Sequence, residues 1–184
     1  MKKCFFWAAL LWISTAAAQD QAAMGLDLGL EAQQYPTGYL VGIRGELGLN
    51  ERQGLSLRLG YNGLDHQDFG VHDSEIGGGF GGSLGYRYYF RAPRRGLYLG
   101  ARIDLWNNVK DWEDNIGHSE ELRGESTVLV LQPTAQIGYL FLLRDHWIIT
   151  PTLAFGAEIN VRTSGEPTGE GAILLWGLKL AYRL

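Results

Sequence analysis

Long stretches of this chain alternate apolar and polar residues with a strict period of two, and that period decides what the backbone can form. Leu55, Leu57, Leu59 and Tyr61 alternate with Ser56, Arg58 and Gly60. Leu97, Leu99, Ala101, Ile103 and Leu105 alternate with Tyr98, Gly100, Arg102 and Asp104, and Trp176, Leu178, Leu180, Tyr182 and Leu184 with Gly177, Lys179, Ala181 and Arg183. Successive side chains of a strand point to opposite faces, so this pattern predicts strands with two unlike faces and excludes amphipathic helices of period 3.6. Eight such segments are expected, over 23–31, 39–49, 54–62, 78–90, 96–106, 127–142, 147–161 and 172–184. The connections alternate in length: 50–53, 91–95 and 143–146 are short, whereas 32–38, 63–77, 107–126 and 162–171 are longer. The expected fold is all-β, an eight-stranded antiparallel up-and-down barrel with its short turns at one end.

A soluble barrel also alternates, with its apolar face inside. The composition of the faces separates the two cases. The chain is 20% charged, yet no position on the apolar face carries a charge. Lipid imposes such strictness, because Arg or Lys at mid-bilayer costs a barrel about 2–4 kcal/mol. Most segments reach the roughly 9–11 residues that a tilted strand needs to cross a membrane. The polar face carries Asp27, Glu31, Arg44, Glu46, Arg58, Arg87, Arg102, Asp104, Glu158, Lys179 and Arg183, interspersed with many glycines. Strands facing water gain nothing from glycine. A narrow lumen needs the space it leaves, so these charges are expected to pair inside a filled barrel. Pro133 and Pro151 fall within the sixth and seventh segments, where each is expected to mark a bulge or an off-ladder position. Tyr39, Tyr61, Tyr86, Tyr88, Phe90, Tyr139, Phe141, Trp147, Trp176 and Tyr182 fall toward strand ends, as expected of aromatic girdles at a membrane interface.

The N-terminus fits export. Lys2 and Lys3 precede the apolar run Cys4–Ala16, and Ala16-Ala17-Ala18 offers a small-residue cleavage site. Residues 1–18 are read as a signal peptide and 19–184 as one barrel domain. The apolar run is too short for a spanning helix, which takes roughly 20 residues. Cys4 is the sole cysteine and leaves with the leader, so disulfides and cysteine metal sites are excluded. The chain has a formal charge of −4, and loses two lysines with the leader, which argues against nucleic acid as a partner.

The last segment, Trp176 to Leu184, resembles the C-terminal strand by which outer-membrane barrels are recognised, although Leu184 stands where phenylalanine is usual. The mature chain as a whole resembles the small eight-stranded OmpA/OmpX-like barrels. The resemblance implies a Gram-negative outer-membrane location, contact with outer-membrane lipid, and handling by the barrel-assembly machinery through the C-terminal strand. It specifies no function.

Chemistry is sparse, and nothing calls for a cofactor. Gly77, Gly79 and Gly82 satisfy G-x-G-x-x-G, and Ser83 lies in G-x-S-x-G, but both motifs need a strand–turn–helix setting that is absent here. The two longest loops hold Asp65, His66, Asp68, His72, Asp111, Glu113 and Asp114, which read either as a solvated acidic surface or as ligands for divalent cations. His118, Ser119 and Glu120 supply a base, a nucleophile and an acid, so a lipid-modifying enzyme is an alternative, although adjacent loop residues rarely align as a triad. A narrow channel or carrier is a further alternative. The leading expectation is a structural or surface-interaction barrel. Arg52, Arg91, Arg94, Arg95 and Arg144 make the short turns basic, which suits either anionic headgroups or plain solvent.

Overall fold

The computed structural model describes residues 25–67 and 71–184. The proposed signal peptide and Asp68 lie outside the described residues. Eight antiparallel strands form one closed barrel in sequence order: β1 (Leu26–Tyr35), β2 (Gly38–Gly48), β3 (Gln53–Gln67), β4 (Ser74–Arg91), β5 (Arg95–Asp114), β6 (Leu122–Leu143), β7 (Trp147–Ser164) and β8 (Gly171–Arg183). Pairing of β1 with β8, from Asp27↔Arg183 to Gln34↔Trp176, closes the ring and removes every sheet edge within the belt. The start of β1 and the end of β8 therefore lie together at one end, with the turns 49–52, 92–94 and 144–146. The other four connections lie at the opposite, loop end.

One outward-facing row shows how alternation becomes architecture. Leu180, Leu30, Ile43, Leu59, Gly82, Leu105, Leu131 and Ile159 are successive cross-strand partners through all eight strands, and none is polar. Leu180 meets Ile149 on β7, whereas the row arrives at Ile159 on that strand. With roughly 3.3 Å per residue and 4.8 Å per strand, this stagger tilts the strands by about 40° and gives a radius of about 8 Å. Such a tube is wide enough for side chains to fill and too narrow to stay open by default.

The apolar parity faces outward. Ile43, Leu59 and Phe80 are 67%, 63% and 77% exposed, while Arg44 and Arg58, beside Ile43 and Leu59 in sequence, and Arg87, further along the strand of Phe80, are buried in the lumen. This is the reverse of a soluble barrel and overturns that alternative. Tyr86, Phe90, Tyr139, Phe141, Trp147 and Tyr182 ring the terminal end of the belt. Tyr39 and Trp176 flank Gln34 in one row toward the loop end.

Two features differ from the expectation. The first connection is not a loop over 32–38: β1 runs to Tyr35, and Pro36-Thr37 alone turn the chain into β2. The polar pair Gln33-Gln34 hid the end of that strand. Next, β3 to β6 are longer than expected and rise beyond the belt as a wall. Alternation continues there with polar residues on both faces, Asn108 and Lys110 buried and Asp111 exposed, so apolarity no longer marked it. Pro133 and Pro151 take the off-ladder positions expected of them, and neither strand is broken there. The β6–β7 pairing skips from Leu131↔Ile159 to Thr134↔Gly156 and from Gly138↔Thr152 to Phe141↔Ile149, so both prolines fall at gaps in one seam.

Candidate functional site: a layered lumen under a strapped mouth

The lumen is filled in layers. At the terminal end Glu46 accepts from Arg87 Nη1 at 3.0 Å, from Lys179 Nζ at 3.2 Å and from the Tyr89 hydroxyl. Arg183 grips Asp27 with Nε and Nη2 at 2.7 and 3.0 Å. Arg94 is not on the surface with the other basic turn residues. It is buried, 3.8 Å from Asp27, and donates through Nη2 to the carbonyl of Gly25 at 2.6 Å. One layer up, Arg44 Nη1 donates to Glu31 at 2.6 Å, and Asp104 receives Arg58 Nη2 and Arg102 Nε, each at 2.7 Å. Cations outnumber carboxylates in these layers. The Arg87 guanidinium, 4.4 Å over the Tyr98 ring, and that of Arg58, 5.4 Å over Trp106, place part of the surplus on aromatic faces.

Glu158 departs from its expected ion pair. It lies above Trp106, in a layer whose nearest polar neighbour is an amide, and accepts from Gln132 Nε2 at 2.8 Å. Trp106 is fully buried and donates its indole N–H to Gln132 at 3.1 Å. Its ring lies across β4 at Gly81, where an added Cβ would come within 2.5 Å of the indole. The lumen glycines thus make room for aromatic rings as well as for long charged chains. Gly138 does the same for Tyr98, whose hydroxyl a Cβ would meet at 2.5 Å. Gly81→Val is expected to cost about 1–3 kcal/mol by overpacking, read as a lower urea midpoint; an unchanged midpoint would contradict this role.

Above Trp106 the lumen turns apolar, which the sequence reading did not anticipate. Tyr35, Leu40, Leu64, Val128, Val130, Ile173 and Leu175 form one buried cluster inside the tube. The stretch Val128-Leu129-Val130-Leu131 is apolar on both parities, and that is the one signal which could have revealed it.

At the loop end the β7–β8 connection, 165–170, crosses the mouth to the opposite wall. Lys110 Nζ donates to Glu75 at 3.2 Å and to Thr168 Oγ1 at 3.3 Å, and Ser126 Oγ to the carbonyl of Glu166 at 3.0 Å. His72 lies 2.9 Å from Asp114 through Nδ1 and 3.1 Å from the Pro167 carbonyl through Nε2, and stacks on Trp112 at 4.4 Å. The His72 hydrogen bond holds the Asp114 carboxyl below its ordinary range. Burial pushes the His66 imidazole down, against the pull of Glu75 at 3.5 Å.

The candidate loop residues are therefore mostly engaged with protein partners. Glu113 pairs with Arg123 at 3.4 Å, and Asp65 and Asp111 face outward from the wall. Among the described residues no three His, Cys, Asp or Glu side chains converge as a metal site, because the strands spread them over both faces of the wall and the mouth. His118, Ser119 and Glu120 sit exposed on the β5–β6 turn, where the backbone N–H of His118 bonds to Asn115 O and that of Glu121 to His118 O. Among the described residues, no hydrogen bond links these three side chains to one another. Ser83 is a buried lumen residue on a regular strand, not a nucleophile elbow.

No protein-family model and no curated protein sequence matches the chain. Among solved structures, the N-terminal β-barrel domain of Pseudomonas aeruginosa OprF superposes with a TM-score of 0.52 at 16% identity, covering 89% of this chain and all of that one. The fold is that of the small eight-stranded outer-membrane barrels. Ail, the attachment invasion locus protein of Yersinia pestis, superposes on this outer-membrane-type barrel with a TM-score of 0.50 at 8% identity, covering 87% of this chain and 97% of Ail. At these identities the likeness concerns the fold alone.

Proposed function

We propose that this protein resides in the bacterial outer membrane as a closed, non-conducting barrel with a structural or surface-interaction role. Residues 1–18 would direct export, the turns 49–52, 92–94 and 144–146 would face the periplasm, and the strapped mouth and the β3–β6 wall would face outward. The last strand, ending at Tyr182 and Leu184, would engage the barrel-assembly machinery, and the outward row through Leu59 would meet lipid. The observation that carries the non-conducting reading is the continuous filling of the lumen. Ion-paired layers around Glu46 and Asp104 are followed by Trp106, and then by the apolar cluster. An ion crossing this path would have to displace buried charge pairs that have no solvent to replace them. Planar-bilayer recordings of the purified barrel are expected to stay at baseline. Steady unitary conductance steps would overturn the reading in favour of a narrow channel.

A further inference from the structure

A cavity of about 250 Å³ opens at the loop end, between the strap and the two-residue β1–β2 turn. Its floor is the exposed side of the lumen cluster, Tyr35, Leu64 and Ile173. Lys110, His66 and Glu158 supply its polar wall. The low β1–β2 turn makes the entrance, because every other hairpin at this end rises higher. The floor is sealed by Trp106 and Gln132, so whatever enters stays in the upper lumen.

The charges around the cavity are unequal. Lys110 is committed to Glu75 and Thr168. Among the described residues, Glu158 is the lumen carboxylate with no Lys or Arg nitrogen within 4.0 Å, and it accepts from the Gln132 amide at 2.8 Å. Glu170 adds a further carboxylate to the lining. An apolar floor beneath an under-compensated acid selects a particular ligand chemistry. An anion is repelled, and a lipid acyl chain exceeds the volume. An engineered cavity of roughly 150 Å³ accepts benzene, so this one has room for a ring with a short tail.

We propose that the cavity binds a small protonated amine with an aromatic or branched apolar body. The ammonium sits on Glu158, and the body lies on Tyr35, Leu64 and Ile173. The positive layers below Trp106 oppose onward passage, so the site is one of capture at the outer mouth. This inference rests on the cavity and does not depend on which membrane holds the barrel.

The test is calorimetric titration of refolded residues 19–184 in detergent with 2-phenylethylammonium, 2-phenylethanol and 3-phenylpropionate. Detergent alone serves as the partition blank, and folding of each variant is checked by its heat-sensitive gel mobility. The amine is expected to bind saturably with a one-to-one stoichiometry. The alcohol should bind at least about 10-fold more weakly, as loss of a charge-assisted hydrogen bond implies, and the carboxylate should not bind. Glu158→Gln should weaken the amine by about 10-fold or more and leave the alcohol unchanged. Ile173→Trp, which fills the floor, should weaken both. Equal binding of the three compounds, no saturable amine binding by the wild-type barrel, or a folded Glu158→Gln variant with unchanged amine affinity would each overturn the proposal. Should Glu158→Gln fail to fold, the ligand ranking and Ile173→Trp decide it.

Discussion

Glu46→Ala is expected to destabilise the barrel by about 3–5 kcal/mol, the usual cost of removing one member of a buried charge pair. Three donors converge on this carboxylate, Arg87, Lys179 and the Tyr89 hydroxyl, and Arg94 lies 4.0 Å away. Removing it leaves the buried Arg87 and Lys179 facing one another without the carboxylate they share. The surplus of cations in these layers makes the loss worse than that of an isolated pair, because Asp27 already serves Arg183. The measurement is urea unfolding in lipid vesicles, followed by tryptophan fluorescence and by loss of the fast-migrating unboiled gel band. Glu113→Ala, which removes the exposed partner of Arg123, serves as the control and is expected to leave the midpoint unchanged. A Glu46→Ala variant as stable as the wild type would mean that the lumen is wet enough to solvate the abandoned cations.

Leu59→Arg is expected to cost about 2–4 kcal/mol in the same assay. Leu59 lies midway along an outward row in which every strand contributes an apolar residue, and its side chain touches no lumen group. If water bathed this face, an arginine at a 63%-exposed position would be neutral or would improve solubility. The sign of the change therefore reports the solvent. The same substitution beyond the belt, at Ile76, where the row continues to Asp65 on one side and Asp111 on the other, should be tolerated.

How much of this was legible in the sequence depended on which face carried the information. Outward positions answer to one solvent, so Leu55 to Tyr61 and Leu97 to Leu105 spelled out strands, parity and barrel class. Lumen positions answer to one another. Arg58 beside Asp104, and Glu31 shared between Arg44 and Arg102, follow from a stagger that only the closed ring sets. Trp106 stands among the charged residues of its own face and became a lumen plug through Gly81 on the neighbouring strand, a cross-strand relation that no local window contains. The strap was invisible for a similar reason. Thr168 and Pro167 are ordinary loop residues until the barrel closes and brings Lys110 and His72 beneath them. The long wall reads as loop in the sequence because Asp111 and Glu113 take the outward positions that are apolar lower on the strand, although the strand continues through them.

Lipid is expected to surround the Leu59 face while protein fills the interior. Since Cys4 is the sole cysteine and lies in the proposed leader, residues 19–184 accept single-cysteine spin labels against a clean background. Labels at Leu30, Ile43 and Leu59, with Asn50 and Ile116 at the two ends, should be compared in vesicles for collision with oxygen and with a water-soluble nickel chelate. High oxygen and low chelate access are expected at the three belt positions, and the reverse at both ends. Chelate access at Leu59 equal to that at Ile116 would contradict this.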